Sequence, residues 1–184
     1  SCHVPFLVSW PDGGIEAGER RGELASLVDL FGVATGAAGS QDPDDLRDGV
    51  DLLGVLQGTT APRQHLFGLY GAPGTERFKI MVREGGWKYV FLANGGRELL
   101  FDVDNDPREL RQLAPTQPDV VARLRQAAVE FLQQTGGEGT LTDDADDLRA
   151  FPFNARPKRR IYQFDRSRNV HGFPETPAEG LRAF

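Results

Sequence analysis

The most suggestive run in this 184-residue sequence places carboxylates at alternate positions, Asp102-Val-Asp-Asn-Asp106, as the first half of an EF-hand loop does. The rest of that loop fails. A calcium loop needs Gly at its sixth position for the sharp turn and a bidentate Glu at its twelfth, where this chain has Pro107 and Leu113. The spacing therefore predicts a strand end followed by an Asp-Pro turn. Histidine is confined to His3, His65 and His171, with no two at i, i+4, and Cys2 is the single cysteine. A zinc site is not expected, because structural zinc takes four ligands, typically Cys and His. Cys2, beside a predicted strand, reads as a small buried hydrophobe. There is no G-x-S-x-G elbow, P-loop or G-x-G-x-x-G, and none of the Gly-rich turns opens a helix as a phosphate cradle would. The basic run Arg156-Pro-Lys-Arg-Arg160 is a single cluster, whereas nucleic-acid binding by counterion release needs cationic contacts spread over a surface. Its expected partner is the acidic Asp143–Asp147 cluster or a neighbouring subunit. Residue chemistry alone assembles no nucleophile–base pair and no metal cluster.

The elements that would position any site read as follows. Pro5-Phe-Leu-Val-Ser-Trp10 is an apolar run ended by Pro11-Asp-Gly-Gly14, the pattern of a strand covered on both faces. Ser26-Leu-Val-Asp29 has capping-box form. From Leu27 to Ala38 the chain is apolar almost all round, with Gly39 as a stop, which predicts a buried helix. Val50–Gly58 predicts a short helix or turn, and Gly58–Arg63 a boundary. Beyond it, His65–Tyr70, Arg77–Arg83, Trp87–Leu92 and Glu98–Asp102 are β-rich runs. Gly-Ala-Pro-Gly, Glu84-Gly-Gly and Asn94-Gly-Gly separate them, which predicts a four-stranded antiparallel meander. Thr116-Gln-Pro-Asp119 has the form of a second capping box. After it, Val120, Val121, Leu124, Ala128, Phe131 and Leu132 fall at helical spacing up to Gly136-Gly137, predicting an amphipathic helix laid across the meander. Trp10 and Trp87 are read as core residues.

Composition bounds the rest. The chain is 39% hydrophobic and 26% charged, with a formal net charge of −6, which excludes general disorder and any overall attraction to nucleic acid or anionic lipid. No run of 18 apolar residues occurs, so no helical membrane span is predicted. Residues 138–184 hold equal numbers of acidic and basic residues, so the net charge belongs to residues 1–137. That tail also carries Phe151, Phe153, Ile161, Tyr162, Phe164, Phe173 and Phe184, too many aromatics for a disordered tail. It is read as an extended arm anchored on its own or a partner's surface. The chain opens Ser-Cys-His-Val-Pro-Phe, in mid-strand and with no initiator Met or signal segment, and is expected to be a piece of something longer.

The order of these segments resembles the C-terminal portion of the sulfatase family, within the alkaline-phosphatase-like superfamily. His3-Val-Pro-Phe-Leu-Val-Ser-Trp-Pro11 is similar to that family's R-V-P-L-I-x-x-W-P strand. Ser26-Leu-Val-Asp-Leu-Phe31, running to Ala37-Ala-Gly39, and Asp48-Gly-Val-Asp-Leu-Leu-Gly-Val-Leu-Gln-Gly58 resemble its two following segments. Arg77–Tyr89 resembles its R-x-x-K and W-K-Y hairpin. Glu98–Glu109 with Leu113-Ala114 is similar to E-L-F-D-L-x-x-D-P-x-E-x-x-N-L-A. Gly32 and Gly54 stand where the family usually has Pro, His3 replaces Arg, and Gln112 stands at or beside an Asn.

The resemblance implies an α/β chain: the C-terminal part of an alkaline-phosphatase-like sulfatase fold, with a small α+β subdomain of a four-stranded antiparallel sheet and one long helix. Residues 1–62 would be the flank of the large domain, 63–137 the subdomain and 138–184 the tail or arm. The implied activity is sulfate-ester hydrolysis by a formylglycine nucleophile and calcium or another divalent metal. Cys2-His-Val-Pro-Phe6 does not fit the C/S-x-P/A-x-R motif, so catalytic and metal residues are expected upstream of Ser1, and none is assigned here. His3 is the one substrate-pocket candidate, since it follows the expected catalytic Lys. The substrate would be a sulfate-ester small molecule or sugar, with no nucleic acid or membrane partner and with homo-oligomerisation through residues 138–184. A phosphonate monoester or phosphodiester hydrolase and a non-catalytic assembly module are the alternatives. Alone, the chain is expected to be poorly soluble or molten, because its first strand and its Leu27–Ala38 helix would expose an apolar patch.

Overall fold

A computed structural model describes residues 6–13, 15, 18–39, 48–137 and 139–155. Four strands, β1 (Leu66–Tyr70), β2 (Lys79–Glu84), β3 (Trp87–Leu92) and β4 (Arg97–Asp102), pair antiparallel in sequence order. This is the meander that the sequence predicts, and the turns explain its register. Gly85-Gly86 closes β2 onto β3 so that Arg83 faces Lys88, and Gly95-Gly96 closes β3 onto β4 so that Phe91 faces Glu98. Gly85, Gly95 and Gly96 all have positive φ, which glycine adopts without steric cost.

Alternation along each strand then decides what is buried. Ile80, Val82, Tyr89, Phe91 and Leu100 point to one face and are at most 5% exposed. On that face lies the long helix α3 (Pro118–Thr135), which buries Val121, Leu124, Ala128 and Leu132. Phe67 of β1 stacks on Phe131 of α3 at 4.0 Å between ring centroids. Pro118 occupies the first turn and Gly136 ends the helix in the left-handed region. The Thr116–Asp119 capping box does not form. The N-cap is Gln117, and the Thr116 hydroxyl bonds instead to the Leu113 carbonyl at 3.0 Å, because Ala114–Thr116 is a turn of 3-10 helix that leads into α3.

After α3 the chain folds back on this subdomain. Leu141 bridges Leu148, Phe151 pairs with Asn94, and Leu141 and Leu148 join the core. Residues 139–153 therefore lie against their own subdomain, and residues from Arg156 onward fall outside the described set.

The first part of the chain departs from expectation. Phe6–Trp10 forms no strand, and Leu7 is 94% exposed. A strand exists only through a ladder, and the described residues offer this run no neighbour. The next helix, α1 (Asp29–Ala37), is present but not buried: Leu27, Val28, Leu30 and Phe31 are all exposed, and its single buried residue is Asp29. Half of the Ser26–Asp29 capping box forms, since the Ser26 amide donates to the Asp29 carboxylate at 2.6 Å. The short helix α2 (Leu52–Gln57) packs on α1 where Gly36 leaves room, for a Cβ there would stand 3.0 Å from Leu53 Cδ1. A Cβ at Gly54 would meet the Thr60 hydroxyl at 2.3 Å and the Asp51 carboxylate at 2.4 Å, so any side chain here, proline's included, requires those two side chains to shift. No helix among the described residues is long and apolar enough to cross a membrane.

Candidate functional site

Three polar clusters are built into the described residues. The first lies between β3, β4 and α3. Tyr89 is fully buried, and its hydroxyl donates to Glu98 Oε1 at 2.6 Å. Arg125 of α3 clamps the same carboxylate through Nε at 2.8 Å and through Nη2. Burial first, and then the hydrogen bond to the Glu98 carboxylate, push the Tyr89 hydroxyl far above its ordinary value. The bond to Glu98 raises the Arg125 guanidinium in turn. Tyr89 therefore stays neutral and Arg125 stays cationic at any physiological pH, and their bonds to Glu98 fix the geometry of the cluster. Gln112 closes its rim, donating to the Glu98 carbonyl at 3.1 Å and accepting from the Ala114 amide at 3.0 Å. An open groove of about 500 Å³ runs beside it, lined by Gln112, Pro115, Pro118, Ala122 and Arg125.

The second cluster joins β1, β2 and α3. The β1–β2 register opposes Leu66 to Arg83, which brings His65 beside Glu84, with Nε2 3.1 Å from Oε1. Arg123 donates to Oε2 at 2.6 and 3.0 Å. Burial works to raise the Glu84 carboxyl, but the hydrogen bonds from Arg123 and His65 outweigh it and hold it below the usual carboxylate range. A His–carboxylate pair resembles catalytic machinery, but Arg123 occupies the second oxygen and the pair ties an edge strand to a helix.

The third cluster is the Asp29 carboxylate. It accepts from the Ser26 amide at 2.6 Å, from the Val50 amide at 2.8 Å and from Arg63. One side chain thus ties α1, the segment before α2 and the linker to the sheet. Among the described residues the Arg63 Nε is buried without a partner.

Of the residues singled out from sequence, His3, Cys2, His171 and the Arg156–Arg160 cluster lie outside the described residues. Asp102–Asp106 forms the strand-end turn. Asp102 accepts from Asn105 Nδ2 at 2.8 Å and from its amide at 3.2 Å, and these bonds hold its carboxyl below the usual range. Asp106 accepts from the Arg111 amide at 2.8 Å. In the acidic cluster, Asp143 pairs with Arg149 and Asp146 accepts from Thr142 at 2.7 Å. Trp87 packs against the core, and Trp10 is half-buried over Gly13. Among the described residues no group of three or more His, Cys, Asp or Glu is placed to hold a metal, so they do not fit a divalent ion.

Sequence reasoning missed all three clusters. The signal for two of them was the set of charged residues inside apolar strands, Glu84 and Glu98, which hairpin register places next to His65 and Tyr89. Asp29 carried a signal too, as the acid of a capping box inside an apolar helix.

No protein-family model matches the chain. It is 32% identical over 137 residues to arylsulfatase K of Mus musculus, an alignment covering 68% of the chain and 24% of that protein. Against arylsulfatase A of Bos taurus it is 33% identical over 149 residues, 69% of the chain and 29% of the relative. Against choline-sulfatase of Rhizobium meliloti (strain 1021) it is 31% identical over 120 residues, 62% and 22% respectively. The chain thus spans about a quarter of the length of the curated relatives it matches. Among solved structures, Ps i-CgsB with a bound neocarrahexaose superposes with a TM-score of 0.54 at 18% identity, covering 78% of this chain and 29% of that one. A 2-O GAG sulfatase superposes at 0.51 with 22% identity, covering 67% and 27%. At such identities the superpositions show the fold.

Proposed function

The chain is the C-terminal portion of a sulfatase, and from that premise we propose that the longer polypeptide hydrolyses sulfate esters. The observation that carries this reading is the match of over 30% identity to arylsulfatases K and A, along two thirds of the chain. In the proposal, a formylglycine nucleophile and a divalent metal are supplied by residues upstream of Ser1. The metal would stabilise charge on the sulfate during attack. The described residues do not fit the ion, and no step of the reaction is assigned to them.

The role left to this part is support. The Tyr89–Glu98–Arg125 clamp and the His65–Glu84–Arg123 tie hold the sheet, its turns and α3 in one arrangement. Pre-organised walls of this kind allow binding energy to serve chemistry. His3, from its place after the expected catalytic Lys, is the proposed substrate-pocket contact.

The test is turnover of an aryl sulfate, a sulfated sugar and choline sulfate, beside a phosphonate monoester and a phosphodiester, by the longer polypeptide and by the 184-residue chain. Turnover of a sulfate ester by the longer polypeptide alone is expected. Preference for the phosphonate or phosphodiester would replace sulfate hydrolysis with the second activity. Turnover by the 184 residues alone would overturn the upstream placement of the reacting groups.

A further inference from the structure

Asn94 and Gly95, in the turn from β3 to β4, are also two groups able to react with each other. They form the one Asn-Gly step in the sequence, whose other asparagines, Asn105, Asn154 and Asn169, are followed by Asp106, Ala155 and Val170. Glycine has no Cβ to crowd its own nitrogen or restrict its backbone. Once the Asn94 backbone rotates, the Gly95 nitrogen reaches the side-chain carbonyl carbon of Asn94. It gives up its proton, bonds to Asn94 Cγ and expels ammonia, which closes a five-membered imide. Water opens that ring at either carbonyl and leaves an aspartyl or an isoaspartyl residue at position 94. The net change is one water taken up and one ammonia released, with no oxidant or reductant.

The return of the chain after α3 opposes that rotation. Phe151 donates its amide to the Ala93 carbonyl at 2.8 Å and accepts from the Gly95 amide at 2.9 Å. Both peptide groups that flank Asn94 are thus held by one residue, and the nitrogen that would attack is fixed through its own proton. Phe153 covers the same turn. A Cβ on Gly95 would stand 3.2 Å from Phe153 Cδ2, and the Arg97 guanidinium lies over the Phe153 ring at 5.3 Å. Ala150 closes on Gly96, where a Cβ would lie 3.0 Å from that of Ala150. Solvent is at hand, since Gly95 is exposed.

We propose that Asn94–Gly95 is a modification site gated by residues 150–153. The turn reacts only while that segment is lifted, and the isoaspartyl product keeps the segment from closing again. Leu148 is buried in the core whereas residues 152–155 are exposed, so the segment lifts from the turn while Leu148 and the sheet stay in place. An isoaspartyl residue routes the main chain through the side-chain carboxyl carbon and lengthens it by a methylene. The Ala93 carbonyl and the Gly95 amide then no longer stand at the spacing that Phe151 joins. The change is a one-way record that the segment has opened, whatever ester the longer polypeptide cleaves.

Peptide mapping reads the reaction directly. Trypsin cuts after Lys88 and Arg97, and residues 89–97 contain Asn94 as their single asparagine. The amide-to-acid mass gain and the isoaspartyl content of that one peptide therefore report the site. In mildly alkaline buffer the 184-residue chain should react about tenfold more slowly than a synthetic 89–97 peptide, because a site that reacts only when open is slowed by the scarcity of the open state. Phe153 is 62% exposed and outside the core, and Phe153→Ala should speed the reaction about threefold. Phe151→Pro removes the amide bonded to Ala93 and should move the rate further toward that of the peptide. Slow exchange of the Ile80 and Leu100 amides checks that the sheet is intact in each protein. In the modified chain the Phe151 amide should exchange faster than in the unmodified one.

Equal rates in the sheet-intact chain and the peptide would overturn the gating, as would Phe153→Ala reacting no faster than the parent. A modified chain whose Phe151 amide exchanges as slowly as before would overturn the one-way release. Should Phe151→Pro lose its sheet, Phe153→Ala decides alone.

Discussion

Residues 27–58 and residues 66–153 have similar shares of apolar side chains but opposite fates. The later region buries Ile80, Val82, Tyr89, Leu100, Leu124 and Leu132 in one contiguous core, while the earlier region leaves Leu27, Val28, Leu30 and Phe31 in contact with solvent. The difference lies in where each region's partners sit. The hairpins bring each strand's neighbour from within about 20 residues, and α3 follows the sheet directly. The α1–α2 pair packs on itself at the Gly36–Leu53 contact and is tied to its flanking segments by the Asp29 carboxylate. An apolar face without a facing element contributes little to stability, whatever its composition.

The sharpest way to break this comparison is truncation at matched positions. Leu124→Ala should cost about 3 kcal/mol by leaving a cavity under the sheet, seen as a large fall in Tm, whereas Leu30→Ala, on the exposed face of α1, should cost less than about 0.5 kcal/mol. An equal loss at Leu30 in the 184-residue chain would mean that α1 has a cover the described residues do not include.

Next in size is the buried charge. Asp29→Ala strands Arg63 and releases two amides, and should cost about 3 kcal/mol of local stability. The loss should read out as faster amide exchange in α1 and α2, with the sheet amides unchanged. Faster exchange in β2 and β3 as well would show that the two regions unfold as one unit.

Within the sheet region, Tyr89→Phe should cost about 1 kcal/mol, since it removes one buried hydrogen bond and leaves Glu98 still clamped by Arg125. Chemical denaturation would measure it, and a loss as large as that of Leu124→Ala would mean that the hydroxyl organises the whole clamp.

The fourth prediction concerns pH. Glu84 has a folded-state pKa below its ordinary value of 4.5. Its contribution is therefore fully present above about pH 4.5 and is lost as pH falls through the lower folded value. Glu84→Gln should lower stability at neutral pH, where that contribution is present, and flatten the acid limb of the stability curve, the two proteins converging at low pH. An unchanged acid limb would remove the Arg123–His65 tie from the account.

The smallest effect is at Thr116. Thr116→Ala should cost less than about 0.5 kcal/mol, because Thr116 bonds the Leu113 carbonyl and does not cap α3. A loss near 1 kcal/mol would restore the capping box.

What the sequence determined by itself was the local grammar and the ordered series of motifs. The Gly85-Gly86 and Gly95-Gly96 turns, alternation inside each strand and the spacing of Val121, Leu124, Ala128 and Leu132 specify the meander and its helix, because those signals act between residues close in sequence. The motif series pointed to a sulfatase C-terminal portion, and similarity to known sulfatases bears that out. The tertiary structure alone decided that Phe6–Trp10 forms no strand, that α1 is exposed with Asp29 as its buried anchor, and that Glu84 and Glu98 are ion-paired in clusters. Each of those outcomes depends on what stands opposite a residue across space: a ladder partner, a covering face or a guanidinium. Hydrophobic pattern records that a side chain favours burial and leaves open what will bury it.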